Sequence, residues 1–184
     1  LQHTPADLRI HVVAPAERTD DWRWVEWLPH ASTVQRGGAA DLVALGVDNV
    51  RSLSSTLGQS LNERRESATR LPFLLLIVDS QGLPHLEALR TILSDGTALG
   101  ASAIVLAPSA DGLPGDCVSV ITLGPEQRMR CALLAAGTEL TGTADAISAA
   151  DAERGARSLA ASMTDMPDAG RLPRTVEFFS LYGA

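Results

Sequence analysis

An uninterrupted apolar run, Phe73-Leu74-Leu75-Leu76-Ile77-Val78, ends on Asp79, and Ser80-Gln81-Gly82 then breaks the pattern. A short apolar run without polar alternation, bounded by turn residues, suits a strand buried on both faces, as in a parallel sheet covered by helices. Open sheets of that kind bind ligands outside the carboxyl ends of their strands. Asp79 stands at that place, so the question is which chemistry the rest of the chain can assemble around it.

The flanking sequence supports an α/β fold. Leu8 to Ala14 reads as a strand stopped by Pro15, and Thr19-Asp20-Asp21 opens a short helix that carries Trp22, Trp24 and Trp27 and closes at Pro29. In an α-helix Trp24 and Trp27 share a face with Leu28, whereas Trp22 points elsewhere. A Gly-rich loop runs from Ser32 to Ala40, a short strand follows at Asp41 to Leu45, and Asp48 starts a long helix to about Ala68. After the Phe73 strand come a helix from about His85 to Leu93, stopped at Asp95-Gly96, and strands over Ser102 to Leu106 and Cys117 to Leu123. Strands alternating with helices argue for a parallel sheet with helices on both faces. From Gln127 the pattern changes to a small antiparallel hairpin, Gln127 to Leu134 with Glu139 to Thr143. Ser148 and Asp151 then have the spacing of a capping box at the start of a helix to about Ser162. Leu172 to Tyr182 reads as a final apolar helix.

Composition removes several functions. There are 15 basic and 22 acidic residues, and every basic residue is arginine. Without a basic cluster the chain lacks the surface that neutralises nucleic-acid phosphates, and without lysine it offers neither a Schiff base nor a phosphate-clamping ammonium. The N-terminal residues have no basic-then-apolar signal pattern, and no apolar stretch is as long as a membrane span. Cys117 and Cys131 read as buried free thiols. His3, His11, His30 and His85 lack metal-ligand spacing, so no metal held by protein ligands alone is expected.

Chemistries centred on Asp79 mostly stay incomplete. Val78-Asp79-Ser80-Gln81-Gly82 resembles a nucleophile elbow in which Ser80 would attack, but Val78 stands where that sharp turn wants glycine, and the one later histidine, His85, is five residues on. An integrin-type D-x-S-x-S motif fails because Gln81 and Leu83 replace its serines, and an Asp-Lys-Cys triad fails for want of lysine. A P-loop ATPase would use Asp79 as its Walker B acid, yet Ser80 takes the place of the customary glutamate. Arg36-Gly37-Gly38 is followed by no Lys, so the phosphate-cradling loop is missing too. Without the glutamate, hydrolysis should be slow or nil, since Ser80 is no base at neutral pH. Glu87 would need recruitment from the next helix. Arg64 and Arg65 are either phosphate contacts between protomers or a solvated helix end.

The segment Trp22-Arg23-Trp24-Val25-Glu26-Trp27-Leu28-Pro29-His30, after Asp7-Leu8-Arg9-Ile10, resembles the W-x-W-x-x-W-L-P-H stretch of the EccC proteins, the FtsK/SpoIIIE-type ATPases of type VII (ESX) secretion in actinobacteria. Leu93-Ser94-Asp95-Gly96, Leu99 to Ile104 and Glu139-Leu140-Thr141-Gly142 continue the similarity over nearly the whole chain. The resemblance implies a membrane-proximal, degenerate ATPase-like module with a three-layer RecA or P-loop NTPase-like sheet, at the cytoplasmic face of the plasma membrane. Residues 1–126 would be its α/β core, with a strand and glycine-containing loop expected upstream. Residues 127–170 would be a hairpin and helix completing the domain, and 171–184 a connector toward a following ATPase domain. Asp79 and Ser80 would occupy the degenerate Walker B position. No cofactor is expected within the chain on that reading; the alternative is a genuine domain binding ATP and Mg2+. Implied partners are adjacent ATPase domains, other secretion-core subunits and further copies of the chain, without nucleic acid. A free-standing serine hydrolase at Ser80 is the third reading.

Overall fold

The computed structural model describes residues 3–31, 43–45, 47–66, 71–79 and 87–164, with backbone alone for 43–52 and 162–164. Four parallel strands form the main sheet in the order β2-β1-β3-β4: β1 (Leu8–Ala14), β2 (Val43–Leu45), β3 (Phe73–Asp79) and β4 (Ala101–Leu106). The apolar run therefore lies inside the sheet, between β1 and β4. Its alternate side chains feed two cores. Leu74, Leu76 and Val78 join Val13 of β1 against helices α2 (Val47–Glu66) and α3 (Glu87–Leu99), while Ile77 faces the other way, with Ile10 and Val12, toward the tryptophan segment.

The first core follows directly from helical periodicity. Leu53, Leu57 and Leu61 recur every fourth residue along α2, and Ala88, Ile92, Gly96 and Leu99 make the inner stripe of α3; all are buried. Gly96 lets α3 approach β4, because a Cβ there would stand 2.6 Å from the Ala101 carbonyl oxygen. Asp95-Gly96 thus does not end the helix, contrary to the sequence expectation. The stop is Gly100, whose φ of +61° is the left-handed conformation that commonly follows a helix. Arg64, near the end of α2, ties this corner together: Nη1 donates to the Leu99 carbonyl at 3.2 Å and Nη2 to the Pro72 carbonyl at 2.6 Å. Burial pulls its pKa below the ordinary value. The arginine pair at the helix end is accordingly structural in its first member, whereas Arg65 makes an exposed ion pair with Asp95.

The opposite face is covered differently from expectation. The tryptophan segment is one turn of α-helix, α1 (Thr19–Trp22), followed by a 3-10 stretch over Arg23–Trp27. At three residues per turn, Trp22, Val25 and Leu28 line up on the inward side, and all three belong to the second core. Trp22, assigned to another face by α-helical spacing, is therefore an inward residue. Trp27 is 40% exposed and receives the Arg157 guanidinium 3.7 Å above its ring. Arg157 belongs to α4 (Ala149–Thr164), which packs on this 3-10 stretch as an outer layer. Ser148 caps α4 through its Oγ, which accepts the Asp151 amide at 3.1 Å, as the spacing predicts.

The strand at Ser119–Leu123 (β5) does not extend the parallel sheet. It pairs antiparallel with β6 (Arg128–Leu133), which pairs with β7 (Thr138–Thr143), giving a separate three-stranded sheet. Between β4 and β5 lies only the 3-10 turn Ala110–Gly112, with no α-helix to carry a crossover, so the nearby antiparallel pairing wins. Cys117 and Cys131 are free, as expected, but half-buried and not enclosed. The Gly-rich loop, residues 80–86 and the apolar stretch Leu172 to Tyr182 lie outside the described residues.

Two predictions follow from these contacts. Gly96→Ala should destabilise the fold by about 2 kcal/mol, the overpacking against a carbonyl exceeding the gain of about 1 kcal/mol in helix propensity; urea unfolding measures it. His11, buried in the middle of β1, has its pKa lowered to about 4 by burial and then by the Arg9 and Arg64 charges. As pH falls from 6.5 toward 4, the unfolded chain binds this proton before the folded one does. Stability should therefore be intact above that window and lost through it, by up to about 3 kcal/mol. His11→Leu should remove that share of the pH dependence, read from unfolding midpoints at several pH values.

Candidate functional site

By strand alternation Asp79 shares a face with Ile77 and turns toward the tryptophan layer. Only 2% of it remains exposed. Trp22 donates its indole Nε1–H to Oδ2 at 3.2 Å. Nε of Arg18, at the end of the 3-10 turn Ala16–Arg18, lies 3.3 Å from the same oxygen and 2.9 Å from Asp21 Oδ2. These are ion-pair contacts, since the Arg18 Nε–H is aligned for a hydrogen bond with neither carboxylate. The carboxylate at the sheet's carboxyl edge is thus compensated by one cation and one indole delivered from the layer above.

The local sequence explains the arrangement. Pro15 ends β1, and the chain turns immediately through Ala16–Arg18 into α1, so the residues that follow β1 lie over the carboxyl end of the neighbouring β3. The Ile10 amide donates to the His30 carbonyl at 2.9 Å, which fastens the far end of the tryptophan segment back onto β1. His30 is buried, and its Nε2 lies 3.0 Å from the His3 carbonyl. Both ends of the segment are anchored, with Trp22 and Arg18 held over Asp79 between them.

Of the residues that sequence reasoning brought to the site, Asp79 is where it was expected, and Ser80 lies outside the described residues. Arg18 and Trp22 were missed as partners of Asp79. Their signal was available only through a 3-10 reading of the segment, which sets Trp22 in line with Val25. Among the described residues no three His, Cys, Asp or Glu side chains gather in a metal-holding group. The buried Asp79 carboxylate has one acceptor position taken by the Trp22 indole and its charge compensated by Arg18, both at Oδ2.

Fold and site together describe an α/β module whose parallel sheet presents a sealed acid at its carboxyl edge. No protein-family model matches the chain. It is similar to the ESX secretion system protein EccC of Thermomonospora curvata, with 33% identity over 173 residues. That match covers 90% of this chain but 13% of the relative, so the chain spans a small part of the protein it resembles. Among the described residues no helix is long and apolar enough to cross a membrane.

Removing one side of the buried pair should be costly. Arg18→Met should destabilise the protein by about 3 kcal/mol by stranding the carboxylate, whereas the double variant Arg18→Met/Asp79→Leu should recover most of that loss. Chemical denaturation of both variants beside the parent checks the coupling.

Proposed function

We propose that this chain is a degenerate ATPase-like module of a type VII secretion motor protein, coupling a membrane anchor to downstream FtsK/SpoIIIE ATPase domains during protein export. The single observation that carries the noncatalytic part is the occupation of Asp79. An acid serving a magnesium shell must face the nucleotide, and here it faces Arg18 and Trp22 at 2% exposure. The similarity to an ESX secretion system protein supports the setting.

On this reading the sheet is a transmitter. The carboxyl edge that would carry phosphate chemistry is locked to the tryptophan layer, and that layer carries α4 on its outer side. A push on α4 is then passed to β1 and β3 through side-chain packing and the Asp79 contacts. β4 is at the edge of the four-strand order, and Ile104 and Leu106 are exposed on the face that Asp79 shares. Partners on this reading are the neighbouring ATPase domains and secretion-core subunits, at the cytoplasmic face of the membrane.

Titration of the chain with ATP and Mg2+ by calorimetry should give no saturable binding up to millimolar nucleotide, and phosphate release should stay at the buffer rate. Saturable binding that Asp79→Ala abolishes would overturn the proposal in favour of a genuine ATPase domain, and turnover of an ester substrate lost on Ser80→Ala would overturn it in favour of a hydrolase.

A further inference from the structure

Helix α4 is held differently from α2 and α3. Those two bury large aliphatic side chains in the main core, Leu53, Leu57 and Leu61 from one and Ile92 and Leu99 from the other. Along the described side chains of α4, residues 149–161, Ala156 alone is buried, with Ala152, Glu153, Leu159 and Ala160 half-buried around it. Attraction between packed layers grows with the apolar area removed from water, so α4 is fastened much more lightly. Its packing partner is the 3-10 stretch Arg23–Trp27, and the specific contact there is the Arg157 guanidinium, 3.7 Å above the Trp27 ring.

We propose that α4 is a releasable strap that lifts off the tryptophan segment while the main sheet stays folded, with Arg157 on Trp27 as its latch. Regions with few buried apolar contacts open locally at a free energy well below that of global unfolding, and α4 is such a region. Released, it leaves Trp27 and the outer side of Arg23–Trp27 uncovered. The consequence for coupling, that the link between the outer helix and the sheet can be made and broken, rests on the transmitter reading; the opening itself does not.

Two further features of α4 agree with release. First, the helix supplies much of its own support. Ser148 caps its first turn, Asp151 pairs with Arg154, and Arg157 donates through Nε and Nη2 to Glu153 Oε1 at 2.9 and 2.6 Å, all within the helix and its cap. Its sequence is rich in alanine, the strongest helix former. These interactions travel with α4, so leaving the tryptophan segment does not cost them. Second, the connection on its N-terminal side is loose. Asp145 to Ser148, between β7 and α4, are all exposed, Ile147 by 74%, and movement about them breaks no packed contact. The Glu153 carboxylate also keeps the Arg157 guanidinium oriented, so the latch is preset for the Trp27 ring on return.

Two alanines of nearly equal burial test this, Ala156 of α4 at 2% exposure and Ala88 of α3 at 4%. In the full chain with Cys117→Ser and Cys131→Ser, the thiol of Ala156→Cys should react with a small aromatic disulfide reagent at least a hundredfold faster than that of Ala88→Cys. Its rate should stay flat in low urea, whereas the rate at Ala88→Cys should climb along the slope of global unfolding. Adding Arg157→Gln should raise the first rate about threefold, the factor expected for losing a cation–π contact at an exposed site, and leave the second unchanged. A further measurement needs no variant: hydrogen exchange of the amides in 149–161 should be insensitive to low urea, whereas exchange in β3 should follow unfolding. Three results each overturn the proposal: equal thiol rates, α4 exchange that tracks global unfolding, or Arg157→Gln leaving both thiols unchanged or speeding both alike. If a cysteine variant fails to fold, the exchange result decides alone.

Discussion

Strand β3 is the constraint on which the remaining structure depends. With β1 on one side and β4 on the other, every residue from Leu74 to Val78 has neighbours on both sides in the sheet plane, and the strand's side chains must be received by layers above and below. Leu74, Leu76 and Val78 call for the leucine stripe of α2 and the inner stripe of α3. Ile77 and Asp79 call for a second layer on the other face, and the tryptophan segment meets both needs with one short stretch. The unusual requirement is the last residue, because an apolar strand that ends on a buried acid needs a cation close by.

Arg18 and Trp22 meet that requirement, and their origin ties packing to chemistry. They follow β1 so closely that the fold leaves them little choice of position, and the 3-10 winding of the next residues turns Trp22, Val25 and Leu28 inward together. The same segment presents Trp27 outward to Arg157. One short irregular stretch thereby links the sheet's carboxyl edge to the outermost helix. On the proposed reading, this linkage is the path by which force would cross the module.

Legibility differed by interaction type. The parallel sheet, the long α2, the Phe73 strand and the hairpin were readable because each depends on near-neighbour pattern: apolar runs, fourfold leucine spacing, turn residues. The end of α3 was misplaced because a glycine inside a helix and a glycine after one look alike in sequence. Contact with the Ala101 carbonyl explains Gly96, and the positive φ explains Gly100. The tryptophan faces were misassigned because period 3.0 and period 3.6 diverge by only one residue over such a short span. β5 was grouped with the parallel strands because its apolar content carries no information about its partner.

The amino-acid sequence by itself determined that a parallel strand would deliver Asp79 to a sheet edge, and that Ser80 rather than a glutamate would follow it in a segment without lysine, because those are matters of residue identity and short-range order. Only the tertiary structure decided what Asp79 touches. Arg18 and Trp22 lie about sixty residues away along the chain, and bringing a cation to a buried acid over that separation is the work of sheet topology, which orders strands by packing and not by sequence distance.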